Sequence, residues 1–156
     1  MERLTEELLT KFLIKYLKEM DFTIFSYDFP QSGTGYCMRP NTHDIKHKNI
    51  NFWIPDIIAT KEQKLLLFEN KDHYSLSDIN KLQYMLENNT HTEAIAKLKS
   101  KTNTLVHYIL LGYPLQFFHK ETSLSKHIDA ELGCDLTEGT ICIKENGEEI
   151  SKIFER

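Results

Sequence analysis

The chain has 156 residues, of which 40% are hydrophobic and 27% are charged, with 6 Gly and 4 Pro. This composition is typical of a folded globular domain and excludes a disordered, collagen-like or low-complexity chain. The formal net charge of −4 excludes a protein that binds nucleic acid through an overall positive charge, although a local basic surface stays possible.

No apolar run approaches the roughly 20 residues that a membrane-spanning helix needs, and charges interrupt the first helical segment, unlike a signal peptide. The 3 cysteines, Cys37, Cys134 and Cys142, are far apart and form no CxxC pair. This pattern is typical of reduced thiols rather than of disulfides or zinc ligands. We therefore expect a soluble, cytoplasmic protein that forms a single domain over residues 1–156 and has no membrane partner.

Apolar residues recur at helical spacing over residues 4–20, which predicts an amphipathic first helix. Residues 22–29 alternate and are rich in β-branched and aromatic side chains, which predicts a strand that ends at Pro30. Residues 31–49 are polar and mildly basic, and a loop of this length favours a functional role over a mere connection.

Residues 51–59 and 64–71 are predicted to form the second and third strands, joined by a tight turn at residues 60–63. The run 65–68 is apolar at every position, which indicates a central strand with both faces buried. The remaining predictions are helices at 75–86 and 92–101 with Thr92 as the N-cap of the second, a strand at 105–111 ended by Gly112 and Pro114, and a short helix around 123–132. Residues 141–143 and 150–154, on either side of a turn at Asn146-Gly147, are predicted to form a C-terminal hairpin. The order is α-β-β-β-α-β with C-terminal additions.

Asp56, Glu69 and Lys71 form the constellation with the clearest chemistry. Glu69 and Lys71 are two residues apart at the end of the predicted third strand, so their side chains share one face. Two neighbouring carboxylates repel each other unless a cation lies between them, and Mg²⁺ prefers such oxygen ligands. A lysine beside the metal can hold the attacking water or stabilise charge on a phosphoryl oxygen. Other acid-x-Lys triplets occur at residues 44–46 and 62–64, but only the one at 69–71 ends a buried strand.

Pro55-Asp56, 12 intervening residues and Glu69-Asn70-Lys71 together resemble the PD-(D/E)xK signature of the restriction-endonuclease-like nuclease superfamily. The resemblance covers residues 4–111 and implies an α/β fold with an αβββαβ core, a central mixed sheet flanked by helices, and residues 112–156 as C-terminal additions. It also implies that Asp56 and Glu69 bind metal, that the backbone carbonyl of Asn70 completes the metal shell, and that Lys71 assists the nucleophilic water.

The resemblance implies a Mg²⁺-dependent endonuclease, with Mn²⁺ as a substitute metal, that hydrolyses phosphodiester bonds of DNA. Within the superfamily, a type II restriction-like enzyme is the leading interpretation, and cutting both strands of a duplex would favour a homodimer. A structure-specific or repair nuclease, such as a junction resolvase, is the first alternative. A catalytically inactive nucleic-acid-binding module of the same fold is the second.

Two accessory residues follow from patterns in relatives. Many relatives carry a Glu on the first helix near the site. Glu6 shares the edge of the helical face of Leu13 and Leu17, whereas Glu7 lies away from that stripe, so Glu6 is favoured over Glu7; a solvated acid in the first turn is the alternative. Gln83 lies within the apolar stripe of its predicted helix, and in some relatives a Gln here points at the active site. The alternative is an amide that packs between helices and bonds to backbone.

Possible contacts with DNA lie in the polar loop and directly after the signature. Arg39, Lys46 and Lys48 could bind phosphates from the loop, and a solvated charged loop is an equal alternative. His73 could reach a substrate phosphate or could cap the following helix.

Overall fold

The computed structural model describes residues 5–29, 32–41, 52–118, 126–145, 147 and 149–155. Helices and strands follow in the order α1 (Glu6–Glu19), β1 (Thr23–Tyr27), β2 (Ile57–Lys61), β3 (Lys64–Asn70), α2 (Leu76–Glu87), α3 (Thr92–Thr102), β4 (Val106–Pro114), β5 (Ala130–Asp135), β6 (Thr140–Glu145) and α4 (Glu149–Ile153). A short 3₁₀ helix at Leu115–Phe117 follows β4. The predicted Asn146-Gly147 turn lies partly outside the described residues.

The strands form one six-stranded mixed sheet in the order β1-β2-β3-β4-β5-β6. β1, β2 and β3 are antiparallel neighbours, β4 runs parallel to β3, β5 runs parallel to β4, and β6 is antiparallel to β5. The parallel step from β3 to β4 needs a crossover, which α2 and α3 provide. The fold is therefore α/β, with a mixed sheet flanked by helices, as expected from the sequence.

Helices cover both faces of the sheet. One apolar cluster joins α1 and α4 to alternate residues of β2 to β5, such as Phe68 and Leu110. The other joins α2 and α3 to the intervening residues, such as Leu67 and Ile109. Both faces of β3 are buried, which confirms the prediction from its continuous apolar run. Among the described residues, no helix is both long and apolar enough to span a membrane.

The turn between β2 and β3 is a tight hairpin, as predicted. Lys61 pairs with Lys64, and Glu62 adopts φ 56, a left-handed conformation that closes the connection. The second strand itself begins later than predicted, at Ile57. Trp53 instead makes an isolated bridge to Met38, with two backbone hydrogen bonds of 2.8 and 2.9 Å.

The prediction that the fourth strand ends at Gly112 was wrong, because β4 continues through Gly112 and ends at Pro114. Gly112 lies opposite Asn70 of β3. A Cβ atom on Gly112 would lie 2.6 Å from Asn70 Oδ1 and 2.8 Å from Leu13 Cδ1. Glycine at this position therefore lets β4 pass close to both Asn70 and α1 rather than ending the strand.

The predicted helix around 123–132 was wrong where it can be checked. Ala130–Asp135 form β5, while residues 123–125 lie outside the described part of the chain. Ala130 and Leu132 pack towards α1, whereas Glu131, between them, faces the α2 side and accepts a hydrogen bond of 3.0 Å from Tyr113. This alternation of faces is the pattern of a strand.

The predicted hairpin was wrong in its second strand. Residues 141–143 do lie in a strand, β6, but β6 pairs with β5, and residues Glu149–Ile153 form α4. Glu145 explains the helix: its carboxylate accepts hydrogen bonds from the backbone N–H groups of Ile150 at 2.7 Å and of Ser151 at 2.9 Å. A carboxylate at a helix N-terminus satisfies N–H groups that otherwise have no partner.

The prediction that Thr92 is the N-cap of α3 was wrong. His91 occupies that position, and its side chain makes no capping hydrogen bond. The capping oxygen comes from outside the helix, since Asn41 Oδ1 accepts a hydrogen bond of 2.9 Å from the N–H of Glu93. Asn41 also donates to Thr92 Oγ1 at 3.0 Å. Asn41, within the polar loop, is thus fixed to the start of α3.

Candidate active site

The candidate site lies where β2 begins and β3 ends. The pairing of Ile57 with Phe68 brings Asp56 next to Glu69. Asp56 N–H donates to the carbonyl of Phe68 at 2.8 Å, and Asn70 N–H donates to Asp56 Oδ2 at 2.7 Å. These two bonds fix both the backbone and the carboxylate of Asp56 against the neighbouring strand.

The three central residues share one face of the sheet. Alternate residues of a strand point to the same side. Leu67 and Ile58 pack into the cluster under α2 and α3, so Glu69 on β3, Lys71 directly after it, and Asp56 directly before β2 lie on that side. The intervening Asn70 is fully buried on the opposite face.

Trp53 holds the carboxylate of Glu69. Its indole Nε1–H donates to Glu69 Oε1 at 2.6 Å, and its ring makes an edge contact with His91, with centroids 6.2 Å apart. Glu69 is therefore oriented by a ring that is itself packed in place.

Lys71 lies between acids from two helices. Its Nζ is 3.9 Å from Glu6 Oε1 on α1 and 3.8 Å from Asp78 Oδ2 on α2. Its backbone N–H donates to the carbonyl of Gly112 at 2.8 Å. The ammonium is thus held at the end of β3 by charges on both sides of the sheet.

Both central carboxyl groups resist ionisation. Burial, followed by the charge of Glu69, raises the pKa of Asp56 to about 8, and the Asn70 N–H opposes that shift. Burial raises the pKa of Glu69 to about 7 against the opposing effects of the Trp53 hydrogen bond and of Lys71. Strongly raised carboxyl pKa values in neighbouring groups are typical of functional sites.

Lys71 shows the opposite balance. Its burial alone would lower the pKa of the ammonium, but the surrounding carboxylates, led by Glu6 and Asp78, outweigh burial and raise that pKa. Lys71 is therefore a cation at neutral pH and offers a positive charge rather than a base.

The donor set fits a hard divalent cation. Within the described part of the chain, no group of three or more His, Cys, Asp and Glu side chains could hold a metal ion. Asp56 and Glu69 supply only two side chains, a number suited to Mg²⁺, which keeps several waters and binds through one or two carboxylates plus substrate phosphate. The mutual repulsion of these two acids, visible in the raised pKa of Asp56, is what a cation would relieve.

We expect the protein without metal to become less stable as pH rises. The pKa values of Asp56 and Glu69 lie near 8 and 7 in the folded chain, against ordinary values of 3.8 and 4.5. Between these limits the unfolded chain binds fewer protons than the folded one, so the stability that these groups contribute is present at low pH and is lost as pH rises to about 8. Thermal unfolding in EDTA should therefore show a midpoint that falls over this window.

Asp56→Asn should flatten that dependence, because the amide carries no charge and still accepts the hydrogen bond from Asn70. The matched control is Asp21→Asn. Asp21 is exposed and has φ 68, a conformation that Asn tolerates, so the control should keep the wild-type slope. Equal slopes in wild type and Asp56→Asn would show that Asp56 ionises normally.

A cavity of about 630 Å³ opens beside the site, between α2 and the segment that precedes Asp56. Its lining consists of Phe52, Trp53, Glu69, Lys71, Leu111, Thr90, His91 and the α2 residues Asp78, Ile79, Asn80, Lys81, Leu82, Tyr84 and Met85.

The structure brings some of the predicted accessory residues to the site. Glu6 reaches Lys71, whereas Glu7 pairs with Lys11 at 3.6 Å. Gln83 is half-buried on α2 and is not among the described residues that line the cavity.

Of the four residues predicted to contact DNA, the structure describes Arg39 and His73. Arg39 is exposed, and its guanidinium lies 5.8 Å from the centre of the Phe52 ring. His73 is exposed, and its Nδ1 lies 2.5 Å from Asp72 Oδ1. Lys46 and Lys48 lie outside the described residues.

Three residues of the site carried no role in the sequence-based prediction: Trp53, Asp78 and Asp28. Asp28, directly after β1, donates its N–H to the carbonyl of Asp56 at 2.8 Å, and its charge contributes to the raised pKa of Glu69. Asp78 carried one available signal, since it is an acid in the first turn of the helix that follows the Glu-x-Lys strand. Trp53 carried none, because its approach to Glu69 depends on the course of a segment that leaves the sheet.

No family model matches the chain. Comparison with curated proteins finds no match. Comparison with solved structures finds none either.

Proposed function

We propose that this chain is a Mg²⁺-dependent endonuclease that hydrolyses phosphodiester bonds of DNA, with Mn²⁺ as a substitute metal and with a restriction-endonuclease-like core. The observation that carries the proposal is the placement of Asp56, Glu69 and Lys71 on one face of the sheet, where β2 begins and β3 ends, with the pKa values of both carboxyl groups raised. Two acids that resist ionisation beside a fixed cation are costly unless a divalent ion and an anionic substrate use them.

The order and pairing of the elements support the superfamily assignment. α1, the antiparallel β1-β2-β3 and the parallel β4 reached through α2 and α3 correspond to the αβββαβ core that the resemblance implies. β5, β6 and α4 correspond to the C-terminal additions. The signature residues lie together where β2 begins and β3 ends, which supports the proposal.

Each residue has a distinct role in the proposed reaction. Asp56, Glu69 and the backbone carbonyl of Asn70 would hold Mg²⁺, which when bound supplies charge stabilisation at the phosphoryl and leaving oxygens. Lys71 would orient the attacking water and stabilise the negative charge that develops on the phosphate. A new P–O bond to water forms as the P–O bond to the leaving oxygen breaks, the water loses a proton and the leaving oxygen gains one.

A basic groove supports DNA as the substrate. It runs along α1 beside the end of β1, has a volume of about 570 Å³, and is lined by Lys11, Ile14, Lys15, Lys18, Glu19, Tyr27 and Phe29. Tyr27 and Phe29 stack at 5.8 Å, and Lys11 lies 5.3 Å from the centre of the Phe29 ring. Lysines track a phosphate backbone and aromatic rings suit bases. The groove lies on the α1 side of the sheet and approaches the site at the strand ends, where the backbone N–H of Asp28 donates to the carbonyl of Asp56.

The type II restriction-like branch, acting as a homodimer, is our first proposal within the superfamily. A structure-specific nuclease is the second, and the cavity of about 630 Å³ beside Glu69 favours it, because a space of this size suits a single nucleotide rather than a paired duplex.

The test is incubation of plasmid and of branched DNA with the purified protein in Mg²⁺ and in EDTA. We expect cleavage in Mg²⁺ and none in EDTA. Cleavage that does not depend on Mg²⁺ would contradict the metal-dependent mechanism, and DNA binding without cleavage would leave an inactive binding module of this fold.

A further inference from the structure

The cavity beside the candidate site has aromatic rings on both sides. Phe52 stands before β2 and Tyr84 stands on α2, and their side chains are 62% and 66% exposed. Both rings line the same space, and Arg39 lies against Phe52. Exposed rings that flank one cavity offer flat surfaces to a flat ligand, and Arg beside an aromatic ring extends such a surface.

The cavity is also continuous with the reacting groups. Glu69 and Lys71 belong to its lining, and Trp53, which bonds to Glu69, forms part of the same wall. Thr90 and His91, both buried, add polar groups of the kind that contact the edge of a base. A ligand in the cavity would therefore lie next to any phosphate held at Glu69.

From these observations we infer that the cavity receives one unpaired base of the DNA strand whose phosphate lies at Asp56 and Glu69, stacked against Phe52 and Tyr84. This inference rests on the proposed function for the identity of the ligand. The volume of about 630 Å³ lies within the roughly 300–1,000 Å³ of ligand cavities, enough for one nucleotide but not for a duplex. A base must leave the helical stack to enter it, so the substrate class is DNA in which a nucleotide beside the scissile bond is unpaired or can leave the stack.

The experiment compares three DNAs of one sequence in EDTA, where the proposed cleavage cannot occur. The first is a fully paired duplex, the second carries a one-base bulge, and the third carries an abasic bulge that keeps the flexible backbone but lacks the base. Affinities are measured by electrophoretic mobility shift. We expect the base bulge to bind about tenfold more tightly than either of the others, since stacking on aromatic side chains favours a base by roughly that factor or more.

Tyr84→Ala and Phe52→Ala should each reduce binding of the base bulge towards the abasic level, whereas Tyr84→Phe should keep the preference. Leu105→Ala is the control, because Leu105 is 67% exposed and directly precedes β4, at the end of that strand away from the candidate site. Equal binding of the base and abasic bulges, or an equal loss on all three DNAs in Tyr84→Ala, would overturn the inference.

Repeating the comparison of the same DNAs in Mg²⁺, with cleavage as the readout, separates this inference from the proposed function. A preference for the base bulge without cleavage in Mg²⁺ supports the cavity and contradicts the nuclease. Cleavage of paired DNA at an unchanged rate by Tyr84→Ala supports the nuclease and contradicts the cavity.

Discussion

Asp56→Ala is expected to abolish Mg²⁺-dependent cleavage of DNA, with a loss of roughly a thousandfold or more. Asp56 is one of only two carboxylates proposed to hold the metal, so its removal takes away both the ion and the charge stabilisation that the ion supplies. The measurement is the initial rate of plasmid relaxation and linearisation at saturating Mg²⁺.

Asp56→Asn makes this prediction specific. The Asp56 carboxylate accepts the hydrogen bond from Asn70 N–H, and the amide oxygen of Asn can keep that bond while its charge is lost. We therefore expect Asp56→Asn to be as inactive as Asp56→Ala but at least as stable as wild type in EDTA at pH 8. Asp21→Asn should retain wild-type activity, and equal cleavage by wild type and both Asp56 variants would exclude Asp56 from the site or reveal a contaminating nuclease.

Lys71→Met is expected to lower the cleavage rate by roughly 10²- to 10³-fold while the protein still binds metal and DNA. Methionine keeps an unbranched side chain of similar length but removes the ammonium that lies between Glu6 and Asp78. The measurements are single-turnover cleavage, which reports the chemical step, and titration calorimetry with Mg²⁺, which reports the metal.

Lys64→Met is the matched control for Lys71→Met. Lys64 is the first residue of β3, at the end of that strand away from Lys71, and its Nζ lies 3.0 Å from Glu62 Oε2. This variant should cleave at the wild-type rate. A Lys71→Met protein that cleaves within about threefold of wild type would contradict an electrostatic role for Lys71, since removing one such donor ordinarily costs far more.

The juxtaposition of Asp56, Glu69 and Lys71 could be predicted from sequence because it depends only on local rules. A tight turn joins two strands, and residues two apart share a face. Trp53 and Asp78 could not be placed in this way. Their positions depend on how a segment outside the sheet and the first turn of α2 pack against the end of β3, and no local periodicity encodes such packing.

The same distinction explains the fold. α1 and β3 have simple apolar patterns and were predicted correctly in kind. β5 was not, because Glu131 lies in the middle of its run yet is fully buried, where Tyr113 donates to it and Lys144 lies 3.9 Å away. A buried carboxyl group whose partners lie far away along the chain resembles a solvent-facing residue in the sequence pattern, so the pattern over residues 123–132 predicts a helix rather than the observed strand.

The hydrogen bond from Trp53 to Glu69 makes the chain its own optical sensor. The sequence contains a single tryptophan, so all indole emission arises from a ring joined to this carboxylate at 2.6 Å. A divalent ion or a proton that engages Glu69 changes the charge beside that ring and should change its emission. Occupancy of the site could then be followed in the unlabelled wild-type protein, without substrate and without turnover.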